Sequence, residues 1–334
     1  MARSFPWIGL AILAAVPLTG IGNYPLHLII SCLLWGYVYT SWSIMGRLGL
    51  VSFGHGAFLG IGAYAVVMLW NHFHVSPWLG AIAGMAVSVA VALAIGFPCF
   101  RYKIVGHYFA LVTLALSEVT RLVIVALRDQ TGGSLGATQN TALAQGVTVS
   151  FDALQFQSKI VWFYIILAFW LAALWVWHLV DRSMTRLALE AISQEEDAAA
   201  SIGINVTKSK LFVTIVSAVM TSIGGMLYAQ YQLYINPETV SGIGISLQMV
   251  FGVIAGGMYV MLGPTVGAAF TLLLAEGLRL ALGEHFKQFP ALDLAIYGLL
   301  LVLFIIYLPK GILGAALDAW KNRDVPHLQV AERK

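Results

Sequence analysis

Residues Asp181 to Lys210 read DRSMTRLALEAISQEEDAAASIGINVTKSK, the long polar interruption in the second half of an otherwise apolar chain. Ala188, Leu189, Ala191, Ile192, Ala198, Ala199 and Ala200 are good helix formers with no proline among them, which predicts a helix over 185–201. Arg182, Arg186 and Glu190 fall four apart, on one face where opposite charges meet. Gly203 is placed to end that helix in the left-handed conformation, and Asn205 or Thr207 to cap the next. A charged helix displayed between apolar segments reads as a handle for another protein; the plainer alternative is a solvated loop.

Outward from this stretch, composition sets the class. Of 334 residues, 60% are hydrophobic and 10% charged, against roughly 25% charged in soluble domains. This is the composition of a polytopic membrane protein. A net charge of +3, with basic residues at segment ends rather than in a stripe, argues against nucleic acid. Cys32 and Cys99 lie in apolar runs without CxxC spacing, so neither a disulfide framework nor a zinc site is expected. The histidines His27, His55, His72, His74, His107, His178, His285 and His327 are scattered, with only His72 and His74 at a ligand-like spacing. No metal, cofactor or catalytic group is expected, and no Gly-Lys pair exists from which a P-loop could be built.

A helix needs about 20 apolar residues to cross a bilayer. The chain offers such runs at 5–22, 25–46, 53–70, 77–99, 104–127, 159–180, 208–231, 244–262, 264–282 and 291–308. The first has Arg3 before an apolar core, as a signal peptide would, but no small-x-small cleavage site, and is kept as a span. Pro6, Pro17, Pro98 and Pro264 predict kinks or breaks. With both termini inside, most basic residues fall on the cytoplasmic side, including Arg47, Arg101, Lys103, Arg182, Arg186, Lys208, Lys210, Lys310, Arg333 and Lys334. The outer face then receives Arg121, Arg128, Lys159, Arg279 and Lys287, with a long loop over 128–158, and 181–210 becomes a cytoplasmic loop. The expected architecture is all-α: one transmembrane domain over 1–334 with about ten helices.

Two segments depart from plain spanning helices. Gly46 to Tyr64 holds six glycines, Gly46, Gly49, Gly54, Gly56, Gly60 and Gly62. Each costs a helix roughly 1 kcal/mol relative to alanine. Close helix packing through small-xxx-small spacing explains them, or else a broken helix lining a translocation route, with Ser52, His55 and Thr113 beside it. Gly252 to Phe270 repeats the pattern with Gly256, Gly257, Gly263 and Pro264, as an inverted internal repeat would. Two further pairs, Glu118 with Arg121 and Glu276 with Arg279, lie three apart toward the outer side. They read either as internal salt bridges or as outer-face docking charges.

The ordered motifs carry a resemblance. DAAASIG, from Asp197 to Gly203, is close to the EAAxxxG signature of ABC importer permeases, and Arg186 to Leu211 resembles the longer form found in permeases for branched-chain amino acids. GLVSFGHGAFLGIGAY, VGHYFALVTLALSEVTRLV, GGMYVMLGPTVGAAF and YLPKGILG resemble successive motifs of the same family across 25–315, the second being more similar to the LivM-type than to the LivH-type subunit. In the outer loop, TGGSLGATQ departs from the glycine-leucine ending expected after TGG, which leaves the solute open.

The resemblance implies a permease of the bacterial inner membrane that pairs with a LivH-type subunit, two cytoplasmic ATPase subunits and a periplasmic solute-binding protein. The handle becomes the coupling helix, with Arg186, Glu190, Glu195, Glu196, Asp197, Ala198, Ala199 and Gly203 as the ATPase contact. The cargo would be branched-chain or other neutral amino acids, with urea or a short amide as the alternative. A secondary transporter is the rival class, but it usually carries an ionisable group at mid-membrane. Glu118, Glu276 and Asp293 fall toward the outer third, and His55 lies near an inner end.

Overall fold

The computed structural model describes residues 13–140, 149–150, 152–283, 292–308 and 310–323. The start of the expected first span with Arg3 and Pro6, the middle of the 128–158 loop, His285, Lys287, His327, Arg333, Lys334 and the side chain of Asp293 lie outside the described residues. The long helices are α1 (Asn23–Gly46), α2 (His55–Phe73), α3 (Pro77–Arg101), α4 (Gly106–Ala126) and α5 (Lys159–Arg182). Then come α6 (Met184–Gln194), α7 (Glu196–Ser201), α8 (Val206–Gln232), α9 (Pro237–Val240), α10 (Ile243–Gly256), α11 (Gly263–Gly283), α12 (Leu292–Tyr307) and α13 (Gly311–Arg323). Among the described residues, seven helical stretches are long and apolar enough to cross a membrane: α1 to α5, α8, and α9 with α10. The expected runs at 264–282 and 291–308 correspond to α11 and α12.

Two boundaries differ from expectation. The run expected over 244–262 stops at Gly256, because Gly257 takes a positive φ of 114° and turns the chain. The break expected at Gly263-Pro264 lies just before Pro264, over residues 257–262. Pro264 sits in the first turn of α11, where a missing N–H leaves no bond unmade. Pro98 lies within α3, which continues to Arg101.

The core is built around α1 and α8. α8 packs along α2 and α3, while α1 packs along α5 and α11. Trp35, Tyr39 and Trp42 of α1 are buried with Leu59, Ala63 and Val67 of α2 and Met249, Val250 and Val253 of α10. The α2–α8 crossing depends on glycine. A Cβ on Gly62 would stand 2.0 Å from the Ser222 carbonyl oxygen, and one on Gly225 would stand 2.1 Å from that of Leu59. Backbone rests on backbone at both positions, which only a missing side chain permits. α10 and α11 meet in the same way, since a Cβ on Gly256 would lie 1.9 Å from the Gly263 carbonyl and one on Gly267 would lie 1.9 Å from that of Gly252.

Gly62→Val and Gly225→Val should therefore each destabilise the bundle by about 1–3 kcal/mol or more, read as a lower midpoint of thermal unfolding in detergent. Gly244→Ala, where a Cβ meets nothing within 4 Å, should leave that midpoint unchanged or raise it.

Candidate functional site

The loop after α1 enters α2 inside the bundle, so the backbone N–H groups at the end of that loop and in the first turn of α2 need partners there. Hydroxyls supply them. The Phe53 N–H donates to Thr113 Oγ1 of α4 at 3.1 Å, the Gly54 N–H to Ser52 Oγ at 3.1 Å, and the Gly56 N–H to Ser246 Oγ of α10 at 3.0 Å. Ser246 Oγ also lies 3.1 Å from Ser117 Oγ of α4. Trp42 Nε1 fixes the loop by donating to the Ser52 carbonyl at 2.7 Å.

His55, 1% exposed, places Nε2 2.7 Å from Ser217 Oγ of α8. Ser217 gives its proton to the Ser41 carbonyl at 2.6 Å. The imidazole must then donate from Nε2, which fixes its tautomer.

The expected route residues are thus brought together as a packed polar knot. Ser52, His55 and Thr113 are buried. Gly54, Gly56 and Gly60 leave space for their neighbours: a Cβ on Gly56 would lie 2.7 Å from both Ser117 Oγ and Ser246 Oγ, and one on Gly60 would lie 2.6 Å from Ser241 Cβ. Gly256, Gly257, Gly263 and Pro264 form a second cluster at the α10–α11 turn, with no hydrogen bond to the first. Sequence reading missed Ser41, Ser117, Ser217, Thr221 and Ser246. The available signal was hydroxyls at helical spacing inside apolar runs, such as Ser217 and Thr221 four apart.

The handle departs from the single helix expected over 185–201. Glu195, at φ −154°, breaks it into α6 and α7. Leu189 and Ile192 of α6 and Ala199 of α7 are buried on either side of the break. Gly203 then takes φ +92°, and Asn205 caps α8 by accepting the Lys208 N–H at 3.0 Å.

Two ion pairs tie α7 to the bundle, and a third braces the end of α5, where the handle leaves it. Lys210 of α8, its side chain 4% exposed, reaches Glu196 at 2.6 Å. Lys103, in the α3–α4 turn, meets Asp197 at 2.5 Å, a bond that holds its ammonium above the usual lysine range. Arg47, at the end of α1, meets Asp181 at 2.7 Å with its guanidinium 3.8 Å over the Trp177 ring. Arg186 bridges Asp181 at 3.4 Å and Glu190 at 2.7 Å. Glu196 and Ala199 therefore face the bundle. Glu195, Ala198 and Gly203 remain exposed, as do the apolar Met184, Leu187 and Ile202, the last 77% exposed.

The two glutamate–arginine pairs lie at the other end of the helices. Arg121 holds Glu118 through its Nε at 3.0 Å and also reaches Glu238 of α9 at 2.7 Å, so it staples α4 to the segment after α8. Arg279 holds Glu276 at 2.6 Å, and the Tyr24 hydroxyl donates to the same carboxylate.

Val51 and Phe53 face a cleft of about 610 Å3 between the handle and the start of α4, whereas Ser52 and His55 are enclosed. In the resting protein, cysteine at Phe53 should react with a small aqueous thiol reagent at least tenfold faster than cysteine at Ser52 or His55. Equal rates would show that the knot is open.

Residues 28–305 match the family model described as branched-chain amino acid transport system / permease component. The chain is 26% identical over 287 residues to the high-affinity branched-chain amino acid transport system permease protein LivM of Salmonella typhimurium, and 27% identical over 288 residues to that of Escherichia coli K12. Each match covers 81% of this chain and 65% of the relative, so the chain spans about two thirds of the length of these proteins. Similarity to the permease protein LivH of Escherichia coli K12 is 24% over 282 residues, covering 81% of this chain and 88% of that one. No solved structure matches the chain. A family match of this extent, over a helical bundle with this ordered set of motifs, means that the chain belongs to the branched-chain amino acid transport system permease components.

Proposed function

We propose that this chain is the LivM-type permease subunit of an ATP-driven importer in a bacterial cytoplasmic membrane, translocating branched-chain amino acids handed over by a periplasmic binding protein. The observation that carries the reading is the handle, which is tied by ion pairs to Lys210 and Lys103 and, through Arg186 and Asp181, to Arg47, and shows apolar side chains outward. A merely solvated loop needs neither feature. The names of the relatives supply the solute, and identity to the LivM proteins exceeds that to LivH. The partners on this reading are a LivH-type permease as heterodimer, two cytoplasmic ATPase subunits and the binding protein, with ATP hydrolysis entirely the work of the ATPases.

The inverted repeat is supported by exchanged packing: α8 lies along α2 and α3 much as α1 lies along α10 and α11. On this scheme ATPase closure pushes on α6 and α7, and the buried Glu196–Lys210 pair passes the displacement to α8. Ser217 of α8 then carries it to His55 and the knot, and the bundle rocks as a rigid body.

The complex reconstituted in vesicles should take up leucine only with ATP inside and binding protein outside; absence of uptake for every branched-chain amino acid would sink the reading. Ala198→Glu and Ile202→Asp should abolish ATPase co-purification while membrane insertion persists. These positions test the contact better than Ala199, which is buried, or Gly203, whose φ strains any side chain. Lys210→Met should leave ATPase binding intact but cut transport per ATP hydrolysed, and the exchanged pair Glu196→Lys with Lys210→Glu should recover part of it.

At the other end, Arg279 is largely exposed while Arg121 bridges two elements. Arg279→Ala should raise the binding-protein concentration needed for half-maximal ATPase activity and flatten its salt dependence. Arg121→Ala should instead lower thermal stability.

A further inference from the structure

A cavity of about 310 Å3 lies where the start of α1, the short strand Gln155–Phe156, the first turn of α5 and the last turn of α8 meet. It is separate from the knot and from the handle, at the end of the bundle assigned to the outer face, and nothing in the scheme above uses it. Its size is that of a site for a small molecule.

One side of it is aromatic. The Trp162 ring meets Tyr231 edge to face at 5.6 Å and Phe156 at 6.1 Å. His27 stacks on Tyr231 at 5.5 Å, with Nδ1 2.5 Å from the phenolic oxygen, so the tyrosine ring is held rigidly in place.

The polar groups are donors with capacity to spare. The Lys159 ammonium has three N–H bonds, and one is given to the Asn23 carbonyl at 3.2 Å. Gln230 is 1% exposed; its side-chain carbonyl accepts from Gln139 at 3.1 Å, and its amide nitrogen has no partner among the described residues. An unbonded buried donor is costly and is rarely left so without a ligand or water. No Asp or Glu lines the cavity among the described residues. A cation and a spare buried amide donor, with no acid among the described lining residues and rings along one wall, make a receptor for a carboxylate that carries an apolar tail.

We propose that this cavity is an outer-face binding site for an apolar α-amino acid, its carboxylate taken by Lys159 and Gln230 and its side chain laid against Phe156, Trp162 and Tyr231. The α-ammonium finds its counterpart in the electron-rich ring faces, which attract cations. The choice of an amino acid over another small carboxylate rests on the function proposed above. The site would receive solute on the outer side before it enters the bundle.

The test is equilibrium binding of tritiated leucine to the full-length permease in nanodiscs, without binding protein or ATP, so that it reads the cavity and not transport. Leucine should bind saturably. Leucinamide, which lacks the carboxylate, should compete at least about tenfold more weakly, the discrimination expected of a charge-assisted hydrogen bond. Lys159→Met, which keeps the apolar stem, and Gln230→Met should each weaken binding by a similar factor in protein that elutes as the native species and retains its ATPase partners. Because Lys159 opens its helix near the surface, its variant remains informative if the Gln230 variant misfolds.

No saturable leucine binding, leucinamide competing as well as leucine, or a folded Lys159→Met protein binding as wild type would each overturn the site. Uptake by the reconstituted importer is a separate readout. Leucine uptake with no binding by the permease alone refutes the cavity and leaves the transport function standing. Binding that responds to the variants, without uptake of any branched-chain amino acid, refutes the transport function and leaves the cavity standing.

Discussion

A helix that begins inside a membrane bundle brings free backbone N–H groups to a place where no water can take them. α2 is such a helix, and much of the centre follows from answering that demand. The N–H groups of Phe53 and Gly54 just before it and of Gly56 in its first turn are met by Thr113, Ser52 and Ser246, and its histidine is anchored to Ser217. Thr113, Ser217 and Ser246 come from α4, α8 and α10, so one local need ties the middle of the bundle together. The glycines of α2 belong to the same solution, because the hydroxyls and backbones that meet it must come closer than a methyl group allows.

Ion pairs solve a different problem at the handle end. Lys210 and Arg47 are almost fully buried, and their partners Glu196 and Asp181 belong to the handle region. A buried charge without a partner is heavily penalised, so each pair fixes geometry more surely than it adds stability. Arg47 also rests its guanidinium on Trp177, which joins the end of α1 to the end of α5. The exposed apolar side chains of the handle sit on a frame whose position is set by these contacts.

Much of this was legible in the sequence, in uneven measure. Apolar runs gave the long helices, since span length follows from bilayer thickness and composition. Gly203 and Asn205 were readable because a left-handed terminus and an N-cap are local chemistry. The Arg186–Glu190 pair followed from helical spacing. The interruption near Pro264 was readable for the same local reason as Gly203, since a proline that follows a glycine suits the first turn of a new helix. The break at Glu195 was not readable, because no proline or glycine stands at that position to mark it. Part of the knot was missed: Ser117 and Ser246 look alike as isolated hydroxyls in apolar helices until the fold sets them 3.1 Å apart.

The break at Glu195 makes the handle two levers instead of one. α6 is linked through Arg186 and Asp181 to Arg47 at the end of α1, whereas α7 is linked through Glu196 and Asp197 to Lys210 and Lys103, at the base of α8 and in the α3–α4 turn. A load applied to the exposed surface is thereby divided between two attachment lines that end on different helices. Unequal forces on two separated lines carry a net moment as well as a push. On the function proposed above, a load on the handle would therefore tend to turn one half of the bundle against the other.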